Sequence, residues 1–124
     1  MNAGAMPASA KGAGAPDSTY VDVDKVPWEK TRFPGIDCKT LMEDKASGLS
    51  TVLFRWAPGA RLPSHEHVEI EQTWVLSGSF SDHMGTCRAG QYVWRRAGSR
   101  HEAWTDEGCL MLAVFLKPNR FLDG

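Results

Sequence analysis

GARLPSHEHVEIEQTWVLSG, residues 59 to 78, carries two histidines two positions apart in a short segment with a glycine at each end. On a β-strand that spacing points the His65 and His67 imidazoles to one face, roughly 7 Å apart along the backbone, so both can meet a single ion. Glu71 follows His67 at an even offset and returns to that face if the chain bends around Val68 to Ile70, where it offers an anionic oxygen. A third candidate, His101, stands further along at the start of another apolar run, just after Gly98, where a turn can present it. Three neutral imidazoles with one carboxylate suit a divalent ion: iron(II), manganese, nickel or zinc. Six-coordinate geometry would leave positions open for water, oxygen or substrate.

The same punctuation continues on both sides. Pro58-Gly59, Ser77-Gly78, Ala89-Gly90, Ala97-Gly98 and Glu107-Gly108 separate short runs rich in Val, Leu, Phe, Trp and Thr, and this rhythm predicts an all-β chain. The expected strands are Ile36 to Glu43, Leu49 to Trp56, Arg61 to His67, Glu71 to Ser77, Gln91 to Trp94, His101 to Thr105 and Leu110 to Leu116, with a further short one at Tyr20 to Val23. No segment carries helical periodicity over ten or more residues, and no internal repeat is visible. Leu110 to Leu116 is apolar on both faces, so it is either enclosed in a barrel or covered by a second subunit; a homodimer is the expected assembly.

Length and composition bound the rest. In 124 residues, 42% of them hydrophobic and five of them tryptophan, there is room for one packed domain, expected at residues 19–124. Residues 1–18 are almost wholly Ala, Gly, Pro, Ser, Asn and Met and read as a disordered tail. A net charge of −1 with mixed signs throughout gives no basic stripe for a nucleic acid. Three widely spaced cysteines, Cys38, Cys87 and Cys109, fit a reducing compartment better than a disulfide framework. With no apolar run long enough to span a membrane and no export signal at the N-terminus, the sequence reads as cytoplasmic.

Set out as spacing, the residues resemble the two signature motifs of the cupin superfamily. The first is complete: Gly59, five residues, His65, one, His67, three, Glu71, six, Gly78. The second runs Gly90, five residues, Arg96, one, Gly98, two, His101, three, Thr105, with Arg96 where the family usually has proline and Thr105 where it usually has asparagine. The resemblance implies a single-domain cupin, a double-stranded β-helix or jelly-roll barrel, with one divalent metal ion on His65, His67, Glu71 and His101. Within the superfamily, Gly59 to Leu116 resembles the ChrR-type cupin domain, named for an anti-sigma factor. The His and Cys cluster of the namesake's zinc-binding domain does not precede Gly59 here, so a sigma-binding role is not carried over. The chain is also similar to small diketone and hydroxyacetophenone dioxygenases, cupins that hold non-haem iron with three histidines.

Two functions of different class follow. In the first, a mononuclear metal, iron before zinc, manganese or nickel, supports dioxygenase chemistry on a small organic compound. In the second, the same ligands hold zinc in a non-catalytic sensor whose output is contact with a protein partner. A metal-free isomerase with a histidine base is argued against by the complete ligand set. Other residues read more plainly. His83 is expected in an exposed turn, and Glu66 and Glu69 on the face opposite the ligands. Trp56, Trp74, Trp94 and Trp104 would fill the core or an interface, and Arg55, Arg95, Arg96 or Arg100 could meet an anionic substrate if any of them faces inward.

Overall fold

The computed structural model describes residues 16–122, so most of the expected tail, residues 1–15, lies outside it. The strands are β1 (Glu29–Lys30), β2 (Ile36–Asp44), β3 (Leu49–Trp56), β4 (Arg61–Glu66), β5 (Glu71–Asp82), β6 (Gly85–Arg88), β7 (Tyr92–Arg95), β8 (Arg100–Trp104), β9 (Cys109–Phe115) and β10 (Arg120–Phe121). All pairings are antiparallel. One sheet runs β1-β2-β3-β9-β5-β7, and the other carries β6, β5, β8, β4 and β10. The result is a cupin-type β-barrel in which inward-facing side chains from both sheets make the core.

The long strand β5 belongs to both sheets. Its first part lies between β9 and β7; its last part turns away at Gly78 to pair with β6 and touch β8. The bend is built from three neighbouring features. The ladder with β9 carries a bulge between Val75 and Ser77. Gly78 has φ of +70°, and a Cβ there would sit 2.0 Å from the carbonyl oxygen of Gly108, so no other residue fits. Thr105, buried at the end of β8, donates its hydroxyl to the Ser79 carbonyl (2.6 Å) and accepts the Gly108 N–H (2.9 Å), pinning the β8–β9 turn to the bend. Thr105 is thus a brace of the barrel.

The bulge also changes which residues face in. Side chains alternate along a strand, and before the bulge Glu71, Thr73 and Val75 are buried. After it Phe80 and Asp82 are buried, together with Ser79 at the bend itself. Together with Ile36, Trp56, Ala103 and Met111, Val75 and Phe80 form the main apolar cluster.

The sequence reading of Tyr20 to Val23 as a strand is corrected. The segment has no ladder partner, and a 3-10 turn, Val23–Lys25, follows it. What fastens it is the Lys39 ammonium, which donates to the Val23 carbonyl at 2.8 Å. Strands β1, β6 and β10, too short to show alternation, add to the expected set, and β5 runs five residues past its expected end at Ser77.

Candidate metal centre

Strands β4 and β8 lie side by side with His65 opposite His101 in the ladder. His67 falls just beyond β4, in a turn held by its own N–H to the Ser99 carbonyl (2.8 Å) and by the Gly98 N–H to its carbonyl (2.7 Å). All three imidazoles are buried, and ligand nitrogens from the three lie within 4.8 Å of one another. The rings meet edge to face, with centroids 4.6 to 5.0 Å apart.

Hydrogen bonding behind each ring fixes its tautomer. His65 Nδ1 lies 2.8 Å from the Pro63 carbonyl, which can only accept, so Nδ1 carries the proton. Ser99 spends its hydroxyl proton on the Arg96 carbonyl (2.7 Å), which leaves its oxygen to accept the His67 Nδ1–H (2.8 Å). His101 Nδ1–H donates to Asp82 Oδ2 at 2.8 Å. The free nitrogen of every ring is therefore Nε2, unprotonated while the ring is neutral. Burial keeps the rings neutral: it lowers His65 below the usual histidine range and takes His67 and His101 down to about 4.

Glu71 stands at one corner of this group. Its Oε2 is 3.4 Å from His67 Nε2, and Asn119 Nδ2 (3.3 Å) and the Thr73 hydroxyl (3.2 Å) donate to its two oxygens. Burial pushes its carboxyl above the ordinary range. The buried His67 Nε2 has no hydrogen-bond partner. Its lone pair faces a Glu71 oxygen and two more imidazole lone pairs, a crowding that a cation or a shared proton among them relieves. This donor set, three Nε2 atoms with a carboxylate alongside, fits a divalent metal ion such as iron, zinc or manganese.

A cavity of about 340 Å³ opens from the histidines into the barrel. His65, Glu71 and His101 are among its lining residues, with six aromatic rings, Phe33, Phe54, Trp56, Phe80, Phe115 and Phe121. Among the described residues no lysine or arginine lines it, and Glu43 is the one other charged group on its wall. The arginines raised by the sequence are engaged elsewhere. Arg55 pairs with Asp37 and covers Trp28, Arg96 stacks on Trp94, Arg100 pairs with Glu66, and Arg95 is bound to Asp82 at 2.8 Å.

His83 is exposed in the β5–β6 turn. Glu66 faces away from the histidines and pairs with Arg100 and Arg120. Sequence reasoning missed Asp82, Ser99 and Asn119, the groups behind His101, His67 and Glu71. Asp82 was visible only as part of a polar turn, because simple alternation from Glu71 sends it outward.

The fold places the chain among known proteins. It is similar to a crystal structure from Methylibium petroleiphilum PM1, provisionally described as an acetylacetone dioxygenase, with TM-score 0.80 and 24% identity over 87% of this chain and 83% of that one. An acetylacetone dioxygenase from Acinetobacter johnsonii gives TM-score 0.76 and 20% identity over 91% and 82%. A chain of the Rhodobacter sphaeroides SigE complex with the anti-sigma ChrR gives TM-score 0.66 and 23% identity, over 75% of this chain and 51% of that one. At these identities the likenesses establish the fold. No curated protein matches the sequence. The family model described as the ChrR cupin-like domain matches residues 16–119, which is most of the chain, and the protein therefore belongs to the ChrR cupin-like family.

Proposed function

We propose that this protein is a mononuclear metal enzyme of the dioxygenase type, with His65, His67, His101 and Glu71 as ligands and a small uncharged organic molecule as substrate. The observation that carries the metal is the convergence of three buried imidazoles whose ligand nitrogens lie within 4.8 Å of one another, with the Glu71 carboxyl 3.4 Å from a His67 Nε2 that has no hydrogen-bond partner. A bound iron ion would supply the Lewis acidity that polarises a substrate oxygen and, with dioxygen as co-reactant, the redox chemistry for C–C cleavage, both oxygen atoms passing into the products. The acetylacetone dioxygenases among its structural relatives support that class of reaction.

What this chain's own residues contribute is selection and exclusion. The aromatic wall favours a ring-bearing or otherwise apolar molecule and sheds water from the cavity. With Glu43 and Glu71 on the wall and no cation among the described lining residues, an anionic substrate would lose its hydration and gain no partner. Asn119 and Thr73 hold the Glu71 carboxylate in place against the histidines.

The outer face of the first sheet supports a homodimer. Trp74 and Tyr92 are 51% and 54% exposed and line a groove with Gln72, Thr73, Leu112 and Val114. An apolar face without charge at its centre matches its own copy with no like-charge repulsion, so a second copy is the occupant we assign. A Trp74→Arg substitution is expected to give a monomer in sedimentation velocity; an unchanged sedimentation coefficient would remove this assembly.

The functional test is elemental analysis of protein purified without chelator or nickel affinity, beside His101→Ala, followed by oxygen uptake with an aryl β-diketone and its carboxylate-bearing analogue. Near-stoichiometric iron, lost in the variant, with uptake on the uncharged compound alone, is the expected result. Zinc without oxygen uptake on a broad panel would move the protein to the non-catalytic sensor reading. Absence of metal from both samples would overturn the site.

A further inference from the structure

The three histidines are not backed alike. Behind His65 stands a peptide carbonyl and behind His67 a serine hydroxyl, both neutral; behind His101 stands a buried carboxylate, Asp82. That carboxylate cannot rotate. Its Oδ1 accepts the backbone N–H groups of Met84 (2.8 Å) and Gly85 (3.2 Å), its Oδ2 accepts His101 Nδ1–H at 2.8 Å, and the Arg95 guanidinium forms an ion pair with Oδ2 at 2.8 Å. These four contacts come from three parts of the barrel: the β5–β6 turn, β8 and β7. Arg95 is itself largely buried and offsets the charge that Asp82 brings into the interior.

We propose that Asp82, locked by Arg95 and the β5–β6 turn, is a positioning residue that aims the His101 ring and strengthens its Nε2 as a donor more than the neutral acceptors behind His65 and His67 strengthen theirs. The inference rests on the metal reading above. An anionic acceptor behind an imidazole raises the electron density at the opposite nitrogen and fixes the ring's orientation, whereas a carbonyl or hydroxyl does so more weakly. His101 is therefore the ligand whose bond to the metal depends most on its rear partner, and Asp82 reaches the metal only through it.

The test uses Co(II) as probe, titrated into metal-stripped full-length protein and followed by its visible absorption. Asp82→Asn should weaken Co(II) binding by about 10- to 100-fold and shift the absorption bands, while Ser99→Ala, which removes a neutral acceptor, should cost clearly less. In a His101→Ala background, adding Asp82→Asn should change Co(II) affinity by less than about twofold, because the route through the ring is already gone. Should Asp82→Asn not fold, judged by tryptophan fluorescence, Asp82→Ser keeps a short acceptor for the turn while removing the charge, and the same losses are expected. Wild-type affinity in both variants overturns the proposal, as does a further tenfold loss in the His101→Ala background, which would mark Asp82 as general scaffolding. Failure of the wild-type protein to bind Co(II) would instead overturn the metal reading itself, so the two failures are distinguishable.

Discussion

With no metal bound, lowering the pH should unfold this protein well above the range where carboxylates alone would do so. In the folded state burial takes His67 and His101 from an ordinary value of 6.5 down to about 4. The sign follows from which state takes up protons. Below pH 6.5 the unfolded chain protonates both rings while the folded chain leaves them neutral until about pH 4, so stability falls with pH across that window and levels off beneath it. A gap of that width, at about 1.4 kcal/mol per pH unit, is worth about 3 kcal/mol for each histidine. His65 is shifted in the same direction. Glu71 opposes them, because its raised carboxyl binds a proton more readily when folded and so gains stability as pH falls. A net loss of about 3–6 kcal/mol between pH 7 and 4.5 is expected, a large share of the roughly 5–15 kcal/mol that holds a domain together. In urea this is a fall in midpoint of about 2 M for a typical slope. The assay is tryptophan fluorescence of EDTA-treated protein in urea at a series of pH values, with His67→Gln alongside. A midpoint that stays flat from pH 7 to 4.5, or a slope that His67→Gln leaves unchanged, would refute the reasoning.

Three further outcomes follow from particular contacts. Gly78→Ala drives a Cβ into the Gly108 carbonyl at positive φ and should cost about 2–5 kcal/mol. Gly59→Ala, also at positive φ but with no atom near its Cβ, should cost only about 1–2 kcal/mol; equal losses in chemical denaturation would show that the close approach does not matter. Thr105→Ala loses both braces of the β5 bend and should lower stability by about 1–3 kcal/mol, with Thr105→Ser restoring most of it. Burial pushes the Cys109 thiol up to about 12, so iodoacetamide at pH 8 should leave it unmodified in the native protein and alkylate it after unfolding, as read by peptide mass spectrometry.

Much of the barrel is legible in the sequence because turns announce themselves: a glycine follows each of β2, β3, β6, β7 and β8 within a few residues, and the runs between them alternate or are apolar throughout. The three histidines stand out by their placement, His65 and His67 two positions apart and His101 just after the Gly98 turn. The parts that escape reading depend on partners distant in sequence. Strands β1 and β10 have only two residues each, and nothing local distinguishes them from loop until β2 and β4 pair with them. The groups behind the ligands are harder still. Ser99 looks like one more turn residue, and Asn119 lies in a segment without pattern; each acquires meaning only when the barrel closes and sets it against His67 or Glu71. The Tyr20 to Val23 strand fails for the converse reason, alternation being present where no neighbour offers an edge.

The bulge in β5 means that distance along the chain is itself part of the site. Glu71 and Asp82 are separated by an odd number of positions, which in a regular strand would put them on opposite faces. Both are buried because one residue is spent between Val75 and Ser77 without advancing the ladder. Removing a single residue there, Leu76 for example, would restore strict alternation and turn Phe80 and Asp82 toward solvent. His101 would lose its carboxylate and the cavity one of its aromatic walls, although every ligand remained in the sequence. Swapping side chains probes which groups the centre needs; changing the length of this strand by one would probe the phase that brings them to the same side.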